Sequence, residues 1–473
     1  MSSLSIHDYT LDTHLYQVAL YLPVTPIMRQ QLKRIMLLLV GVVLTMSSYS
    51  QHVNTTKRID SLMVALDGRG QFNGAIIVSI DKQLIYRNAF GQDHKNQQFS
   101  LTTPSSIVSL SKGFTAMLIM MLAEEGKLTY DDPIINYLPE LNSLLDGITI
   151  RHLLTHTSGI PDVDDLGIDN PRLTNATALK KLSKLKSTFR EPGKKYRYSA
   201  TGYLLLATIV ERISKKTFSD LLTQKILDPL EMNNTSLSGR AVGMGGMRST
   251  VDDLLKWEQS FYSEGLICQP TLVEAFIPFP VKEGTSTYGF GWNISPKDES
   301  KLIWNAGNTG EYGAFMGRVL PEGIAIIMLT EGDTKKMEIS DAIINIIKGR
   351  PYSLPTMPIV DKLYYQITRH GIEKAMEYYE SLKTNDFKDY DFSEPQLNSL
   401  GYKLLDEGRY MEAIYVFRLN VGLYPNSSNV FYSLGEGYYR AGDRDKAVRC
   451  YEKALELDPA NLESLRMLRR LKN

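Results

Sequence analysis

Ser109 and Lys112 lie three residues apart in the segment SIVSLSKGFTAML, residues 106–118. Ser109 stands just before an apolar run that is typical of a helix, and Lys112 follows one turn later on the same face. A serine hydroxyl is a poor nucleophile until a neighbour takes or withdraws its proton. A lysine held beside it in a dry site stabilises the alkoxide or, with a lowered pKa, acts as the base. The pair therefore suggests nucleophilic catalysis, although Ser-x-x-Lys alone also fits an ordinary helix start.

The composition excludes several classes of protein. The chain has 473 residues, and its 53 basic and 53 acidic side chains give a formal net charge of zero. No overall charge attracts nucleic acid, so no nucleic-acid partner is expected. Two distant cysteines, Cys268 and Cys450, exclude a disulfide framework, and the seven histidines lack metal-ligand spacing. We expect neither a metal nor an organic cofactor.

The first 50 residues are typical of a secretion signal. The basic segment MRQQLKR, residues 28–34, precedes the apolar run IMLLLVGVVLTM and the small polar residues SSYSQ. This order predicts a signal peptide, with Met28 as the true start and cleavage after Ser50. The apolar run of 12 residues is short for a membrane span. We expect a periplasmic or secreted protein without an integral membrane domain after cleavage, with an uncleaved anchor as the alternative.

Two segments near the other end repeat with a period of 34 residues. They are LGYKLLDEGRYMEAIYVFRLNVGLYPNSSNV from Leu400 and LGEGYYRAGDRDKAVRCYEKALELDPANLES from Leu434. Their small residues and prolines coincide, and the pattern resembles the tetratricopeptide repeat, a pair of antiparallel helices. We predict repeats over residues 396–473, preceded at 351–395 by a linker and a degenerate helical unit around Gly371. The resemblance implies a protein or peptide partner.

The central region, residues 56–350, begins and ends with β-rich runs and is helical between them. GAIIVSIDKQLIYRNAFG at residues 74–91 predicts a hairpin, and AFMGRV and GIAIIMLT at residues 314–330 predict two later strands. Helical runs cover residues 112–126 and 201–214, and an amphipathic helix closes the region near residues 339–347. The order predicts an α+β fold, with an antiparallel sheet closed by both termini and a helical region, followed by an all-α repeat domain.

Several motifs of this region resemble one family. SLSKGFTA, EEGKLTYDDPIINYLPEL, ITIRHLLTHTSGIPD and GGMRSTVDDLLKW occur in the order seen in serine β-lactamase-like hydrolases. That family includes class C β-lactamases, low-molecular-weight penicillin-binding proteins, esterases and D-aminopeptidases. The resemblance covers residues 56–350 and implies a β-lactamase/transpeptidase-like fold. It also implies that Ser109 is the acylated serine, with Lys112 as its partner.

The resemblance assigns a third catalytic residue and reveals one departure. The family's Tyr-x-Asn motif corresponds to YRYSATGYLLL, in which Tyr198 takes the place of the tyrosine that shuttles protons. The asparagine position holds Ala200. We therefore expect the loss of an amide that would orient the lysine and bind the acyl side chain of the substrate.

A second departure lies in the family's Lys-Thr-Gly motif. Here WNAGNTGEYGAF aligns, so Asn305, Ala306 and Gly307 take the substrate-binding positions and the usual cation is missing. Gly307 is expected to let substrate approach the strand closely. The resemblance also implies an oxyanion hole built from the backbone N–H groups of Ser109 and Asn308, which survive side-chain changes.

Other polar residues suggest less. His152 and His156 offer a Ser-His-Asp interpretation, but the chain has no GxSxG elbow, and the family uses this segment as a structural loop. The pairs Asp131-Asp132 and Asp252-Asp253 are adjacent on the chain, so we predict helix caps and solvated faces rather than a carboxylate dyad.

These features predict an exported serine hydrolase that cleaves a small ester or peptide through an acyl-enzyme on Ser109. An esterase or peptidase is favoured over an efficient β-lactamase, because the amide and the cation are missing. The alternative is a catalytically weak relative that binds a peptide or protein through its pocket and its repeats.

Overall fold

The computed structural model describes residues 53–472, apart from 142–144, 169–171, 185–190, 298, 333 and 460. The predicted signal segment therefore lies outside the described residues. None of the helices in the described part is long and apolar enough to cross a membrane. Within the same residues, no group of three or more His, Cys, Asp or Glu is placed to hold a metal ion. Cys268 and Cys450 are free thiols.

The main sheet consists of the strands β1 Gly74–Ile80, β2 Gln83–Phe90, β6 Asn293–Lys297, β7 Ser300–Asn308, β8 Tyr312–Leu320 and β9 Ile324–Glu331. These six strands are antiparallel and lie in the order β2-β1-β9-β8-β7-β6. Asp81 and Lys82 join β1 to β2 with φ angles of 49° and 67°. Two consecutive left-handed residues are typical of a type I′ hairpin turn. The predicted sheet, which unites both ends of the domain, is confirmed.

Helices cover both faces of this sheet. On one face, α1 (residues 53–68) and α9 (Lys336–Ile347) bury Ile59, Leu62, Ile339 and Ile343 against the strands. The other face packs on the helical region. Its helices are α2 Ser111–Glu124, α3 Ile150–Leu154, α4 Asn175–Leu182, α5 Ala200–Ser214, α6 Phe218–Leu222, α7 Val251–Ser260 and α8 Gln269–Ala275. A small second sheet joins β3 Ser105–Ser106, β5 Met247–Ser249 and β4 Ser236–Leu237.

Helix α2 runs through the centre of this second core. Every residue from Ser111 to Leu122 is buried, because its apolar residues continue around the whole helix rather than along one stripe. A helix surrounded in this way has little freedom to shift. It therefore provides a rigid base for Ser109 and Lys112 at its start.

The C-terminal region is a stack of helices. They are α10 Val360–His370, α11 Ile372–Asn385, α12 Glu394–Asp406, α13 Tyr410–Leu423, α14 Ser428–Arg440, α15 Arg444–Leu457 and α16 Leu462–Lys472. A Cβ at Gly401 would lie 2.3 Å from the Phe417 ring, and one at Gly435 would lie 2.7 Å from the Tyr451 ring. These glycines are therefore required for close helix packing, and the repeat predicted from the 34-residue period is confirmed.

A short irregular segment leads from the first region to the helical stack. Leu354 packs against the core formed by α1, the sheet and α9, and Gln71 Nε2 donates to the Pro355 carbonyl at 2.9 Å. Further along, β10 (Met357–Pro358) pairs in parallel with β11 (Tyr390–Asp391). Lys335 forms an ion pair with Asp391 at 2.7 Å.

Candidate active site

Ser109 lies in a tight turn directly before α2. The turn is a 3₁₀ segment, Val108–Leu110, and Val108 has a φ of 47°. A β-branched residue is rarely left-handed, so this backbone is strained. The Ser111 hydroxyl donates to the Val108 carbonyl at 2.7 Å and holds the turn closed. This bond ties the turn that contains Ser109 to the first residue of α2.

Two functional groups meet at the Ser109 hydroxyl. Lys112 Nζ lies 3.0 Å from Ser109 Oγ, and Tyr198 Oη also lies 3.0 Å from it. The three predicted catalytic residues are therefore brought together at hydrogen-bond distance. Tyr198 is 89 positions away along the chain and arrives just before α5.

Lys112 is buried, with 1% of its surface exposed. Burial lowers the pKa of its ammonium group to about 7, against the opposing attraction of the Asp162 carboxylate. The ring centroids of Tyr198 and Tyr203 lie 5.0 Å and 5.8 Å from Lys112 Nζ, so both rings form part of its surroundings. A lysine with such a pKa is available as a neutral base near neutral pH.

Tyr198 is different, because 38% of its surface remains exposed. Burial of the rest raises the pKa of the phenol to about 12, while the hydrogen bond with Ser109 acts in the opposite direction. The phenol is therefore protonated at neutral pH and can donate. A base of low pKa and an acid of high pKa thus flank one hydroxyl, which is the arrangement that proton transfer during acyl exchange requires.

A main-chain carbonyl orients the lysine. Lys112 Nζ donates to the Met244 carbonyl oxygen at 2.8 Å. The side-chain amide that would orient the lysine is absent because position 200 is alanine, and this carbonyl supplies an orienting acceptor in another way. The acceptor belongs to the backbone, and sequence reasoning missed it because a carbonyl carries no residue signature. The only available signal was the glycine-rich stretch GMGGM, residues 243–247.

The loop that carries Met244 is held by two side chains. Thr115 Oγ1, on α2, donates to the Gly243 carbonyl at 2.7 Å. Asn175 Oδ1 accepts the Val242 N–H at 2.8 Å, and Asn175 Nδ2 donates to the Val242 carbonyl at 3.2 Å. A Cβ at Gly243, whose φ is 96°, would lie 2.4 Å from the Tyr203 carbonyl oxygen. Only glycine fits this position without displacing its neighbours.

Ala200 begins α5, and its surroundings explain how the helix start is stabilised. Asp162 Oδ1 accepts from the backbone N–H groups of Ala200 and Thr201 at 2.7 Å and 3.3 Å. Ser199, the N-cap residue, makes no side-chain capping bond. Asp162 therefore caps the helix from another segment while its charge acts on Lys112.

The end of β7 forms the opposite wall. A Cβ at Gly307 would lie 2.5 Å from Val108 Cβ and 2.8 Å from the Ser109 backbone nitrogen. We expected this glycine to make room for substrate, but the room is taken by the turn that carries Ser109. Gly307 therefore allows the strand to approach the nucleophile turn.

The strand register gives the direction of the Asn308 N–H, one of the two predicted oxyanion donors. Thr309 N–H donates to the Tyr312 carbonyl, so in the antiparallel β7–β8 pair residues 309 and 312 are hydrogen-bonded partners. The neighbouring pair, Asn308 and Gly313, is then a non-hydrogen-bonded pair. The Asn308 N–H consequently points away from β8, to the side of β7 that faces β6. The pairing between β6 and β7 covers residues 300–304 of β7, so it ends before Asn308. This direction is compatible with a backbone donor beside Ser109.

Asn305 and Ala306 lie on opposite faces of β7. The Asn305 amide is buried and donates to the Gly291 carbonyl at 2.7 Å, with the Ser109 carbonyl 3.5 Å away. Ala306 packs on the far side, against the core between the sheet and α9. Their role in substrate binding stays a prediction, and the Asn305 contacts favour a structural tie between the strand and its neighbours.

The remaining polar candidates have structural roles. The prediction of helix caps and solvated faces is wrong for Asp253, which is buried with 1% of its surface exposed. His152 Nδ1 accepts the Thr149 N–H at 3.2 Å and caps α3. The His156 ring packs on the Tyr198 ring. The aspartates serve in ion pairs and turns: Asp131 with Arg151, Asp132 with Thr129, Asp252 with Arg87 and Asp253 with Thr235.

Comparison with known proteins identifies the first region. The Beta-lactamase family model matches residues 59–347, more than half of the chain. The chain belongs to the beta-lactamase family. It is accordingly a serine hydrolase of this family, related to penicillin-binding proteins. A Tetratricopeptide repeat model matches residues 428–461, which form α14 and α15.

Two related proteins match different shares of this chain. Penicillin-binding protein 4* of Bacillus subtilis (strain 168) is 29% identical over 357 residues, 64% of this chain and 79% of that protein. Protein flp of Staphylococcus aureus (strain COL) is 31% identical over 194 residues, which cover 39% of this chain and 38% of that protein.

Two solved structures share the fold of this beta-lactamase family protein. The octameric penicillin-binding protein homologue from Pyrococcus abyssi has a TM-score of 0.57 at 24% identity, covering 66% of this chain and 81% of that chain. The beta-lactamase/D-alanine carboxypeptidase from Yersinia pestis has a TM-score of 0.54 at 24% identity, covering 63% and 98%. At these identities the comparison establishes the fold alone.

Proposed function

We propose that this protein hydrolyses a small ester or amide through an acyl-enzyme on Ser109. The observation that carries the proposal is the convergence of Lys112 Nζ and Tyr198 Oη on Ser109 Oγ, each at 3.0 Å. A pocket that only binds ligand has no need of a buried amine and a phenol on one hydroxyl. The intact trio therefore argues against the alternative of a purely binding relative.

Acylation follows from the protonation states. Neutral Lys112 takes the Ser109 proton as Oγ attacks the substrate carbonyl carbon. The backbone N–H groups of Ser109 and Asn308 stabilise the oxygen that becomes negative. Collapse of the tetrahedral intermediate breaks the bond to the leaving group, which takes a proton from Tyr198, and the Lys112 ammonium returns a proton to the phenol.

Deacylation uses the same groups in reverse. A water molecule attacks the acyl carbon. Its proton passes to the neutral Lys112 amine, either directly or through the Tyr198 hydroxyl, which gives up its own proton as it accepts one. The bond to Ser109 Oγ breaks, and the serine regains its proton. The carboxylic acid leaves, so one water is consumed for each ester or amide cleaved, and no cofactor takes part.

The two departures from the family motifs support neutral esters as the preferred substrates. The amide that would bond an acyl-amide side chain is replaced by Ala200, and the Asn305 side chain is uncharged and bonded to the Gly291 carbonyl. A neutral ester requires only the nucleophile, the proton shuttle and the oxyanion donors. Penicillin-binding protein 4* is named for penicillin binding, so β-lactams are the competing substrate class to test.

The proposal extends to location and partners. The basic and apolar segments at residues 28–46 support export with removal of the signal, which N-terminal sequencing of the mature protein would check. The helical repeats support binding of a protein or peptide partner.

The decisive experiment is the intact mass of the protein after reaction with a fluorophosphonate and a panel of small esters. We expect one adduct on Ser109 in the unaltered protein and none in Ser109→Ala. Ser100→Ala, an exposed serine nine positions upstream, is the matched control and should label normally. An adduct on Ser109→Ala, or none on the unaltered protein, would overturn the assignment.

A further inference from the structure

His156 holds the chain on both sides of Tyr198. Its carbonyl oxygen accepts the Arg197 N–H at 2.9 Å, and its ring Nδ1 accepts the Ser199 N–H at 3.1 Å. The imidazole also packs on the Tyr198 ring, with centroids 4.3 Å apart and planes inclined by 37°. One residue thus contacts the residue before Tyr198, the residue after it and the phenol ring itself.

The backbone of His156 supports this arrangement. Its φ is 56°, in the left-handed region that costs free energy for any residue with a Cβ. Such a conformation persists only where surrounding contacts enforce it, and it tends to occur at functional sites. At His156 this conformation occurs in a residue whose carbonyl and ring both accept hydrogen bonds from the segment around Tyr198.

The surroundings keep the His156 ring neutral. The residue is 1% exposed, and the rings of Tyr196, Tyr203 and Tyr288 lie around it at 4.5–6.2 Å between centroids. Burial lowers the pKa of His156 well below its usual range, and the Lys112 charge lowers it further. Because Nδ1 accepts the Ser199 N–H, the ring proton is on Nε2, and Nδ1 does not serve as a base toward Ser109.

We propose that His156 is the positioning residue of Tyr198, which fixes the phenol oxygen at 3.0 Å from Ser109 Oγ. The inference rests on the proposed function, because it assigns Tyr198 the role of proton shuttle. Tyr198 is 38% exposed, so the packing of its ring on one side leaves the other side open. His156 supplies the fixed side, and the loss of this contact lets the phenol leave the hydroxyl.

Two variants separate the contacts. His156→Phe keeps a ring against Tyr198 but leaves the Ser199 N–H without its acceptor. His156→Asn loses the ring but places an amide oxygen near the Nδ1 position, and asparagine tolerates positive φ. His152→Asn is the matched control from the same segment, since its ring caps α3 rather than contacting Tyr198.

The measurements are kcat and KM for a small ester and the rate of fluorophosphonate labelling, normalised to folded protein. We expect His156→Phe to lower kcat about tenfold to a hundredfold with little change in KM, because a displacement of about 1 Å costs that much. His156→Asn should also lower kcat, because it loses the ring that packs on Tyr198, and His152→Asn should be near normal.

The decisive comparison uses Tyr198→Phe as background. If His156 acts through the phenol, adding His156→Phe or His156→Asn to Tyr198→Phe should lower the labelling rate less than twofold further. A full additional loss in both double variants, or normal kcat in both single variants, would overturn the inference. No labelling of the unaltered protein would instead overturn the proposed function, so the two failures are distinguishable.

Discussion

Lys112 Nζ and the Met244 carbonyl oxygen are joined by a hydrogen bond of 2.8 Å across 132 positions of the chain. The bond helps to direct the amine toward Ser109 although position 200 is alanine and offers no side-chain amide. Because the acceptor is part of the backbone, the orientation of Lys112 depends on the shape of the 242–246 loop rather than on the Met244 side chain. The position of the Lys112 amine should therefore be sensitive to changes in the geometry of this loop.

The first prediction concerns pH. Ester hydrolysis should rise with pH through about 7, because the neutral Lys112 amine is the base and its pKa lies near that value. Asp162→Asn removes the negative charge that raises this pKa but keeps an oxygen for the Ala200 N–H. The ascending limb of kcat/KM should therefore move to lower pH. Asp164→Asn, an exposed neighbour, should leave the limb unchanged, and a shift to higher pH in Asp162→Asn would contradict the prediction.

The second prediction concerns the glycine loop. Gly243→Ala places a methyl group 2.4 Å from the Tyr203 carbonyl oxygen at a φ of 96°, so both strain and overpacking apply. We expect a loss of about 2–5 kcal/mol in the free energy of unfolding, together with lower kcat in the folded protein. Gly284→Ala has a similar φ of 80° and no neighbour within 4 Å, so about 1 kcal/mol is expected. Equal losses in urea denaturation would show that Gly243 matters only for its φ.

The third prediction concerns substrates. Small neutral esters should be cleaved far faster than penicillins or cephalosporins. The site lacks the amide at position 200 and the cation at position 305 that would bind the acyl-amide side chain and the carboxylate of a β-lactam. Ala200→Asn should raise the rate of β-lactam acylation about three- to tenfold, the value of one neutral hydrogen bond, and change ester cleavage less. Ala200→Leu, which adds bulk without an amide, is the control. Efficient penicillin hydrolysis by the unaltered protein would mean that another residue supplies the missing contacts.

The fourth prediction concerns modularity. A chain that ends at Thr356 should retain ester hydrolysis and fluorophosphonate labelling, since all proposed site residues precede it. Ending at Arg350 should cost a further 1–2 kcal/mol or so, because Leu354 leaves the core and Gln71 loses the Pro355 carbonyl. The loss of the half-buried Lys335–Asp391 pair adds little in either case. Thermal unfolding and activity of the two shortened chains would decide, and an insoluble 1–356 chain would indicate that the repeats cover apolar surface.

The local sequence determined the elements and indicated Ser109 as a candidate nucleophile. Alternating β-rich runs, the all-apolar run after Lys112 and the 34-residue period each reflect neighbours on the chain, and the structure has strands, a buried helix and helix pairs there. The order of the motifs also predicted that Tyr198 would meet Ser109 and Lys112, because a shared fold brings the same positions together.

Only the tertiary structure decided what surrounds that trio. The Met244 carbonyl, the Asp162 cap and the three contacts of His156 join segments far apart along the chain. The close packing of the turn that carries Ser109 against Gly307 was also invisible in the motif. The physical reason is that each of these contacts, apart from the packing of the His156 ring on the Tyr198 ring, uses backbone atoms. Every residue carries the same amide and carbonyl, so their role depends on where the fold places them and leaves no trace in the identity of the side chain.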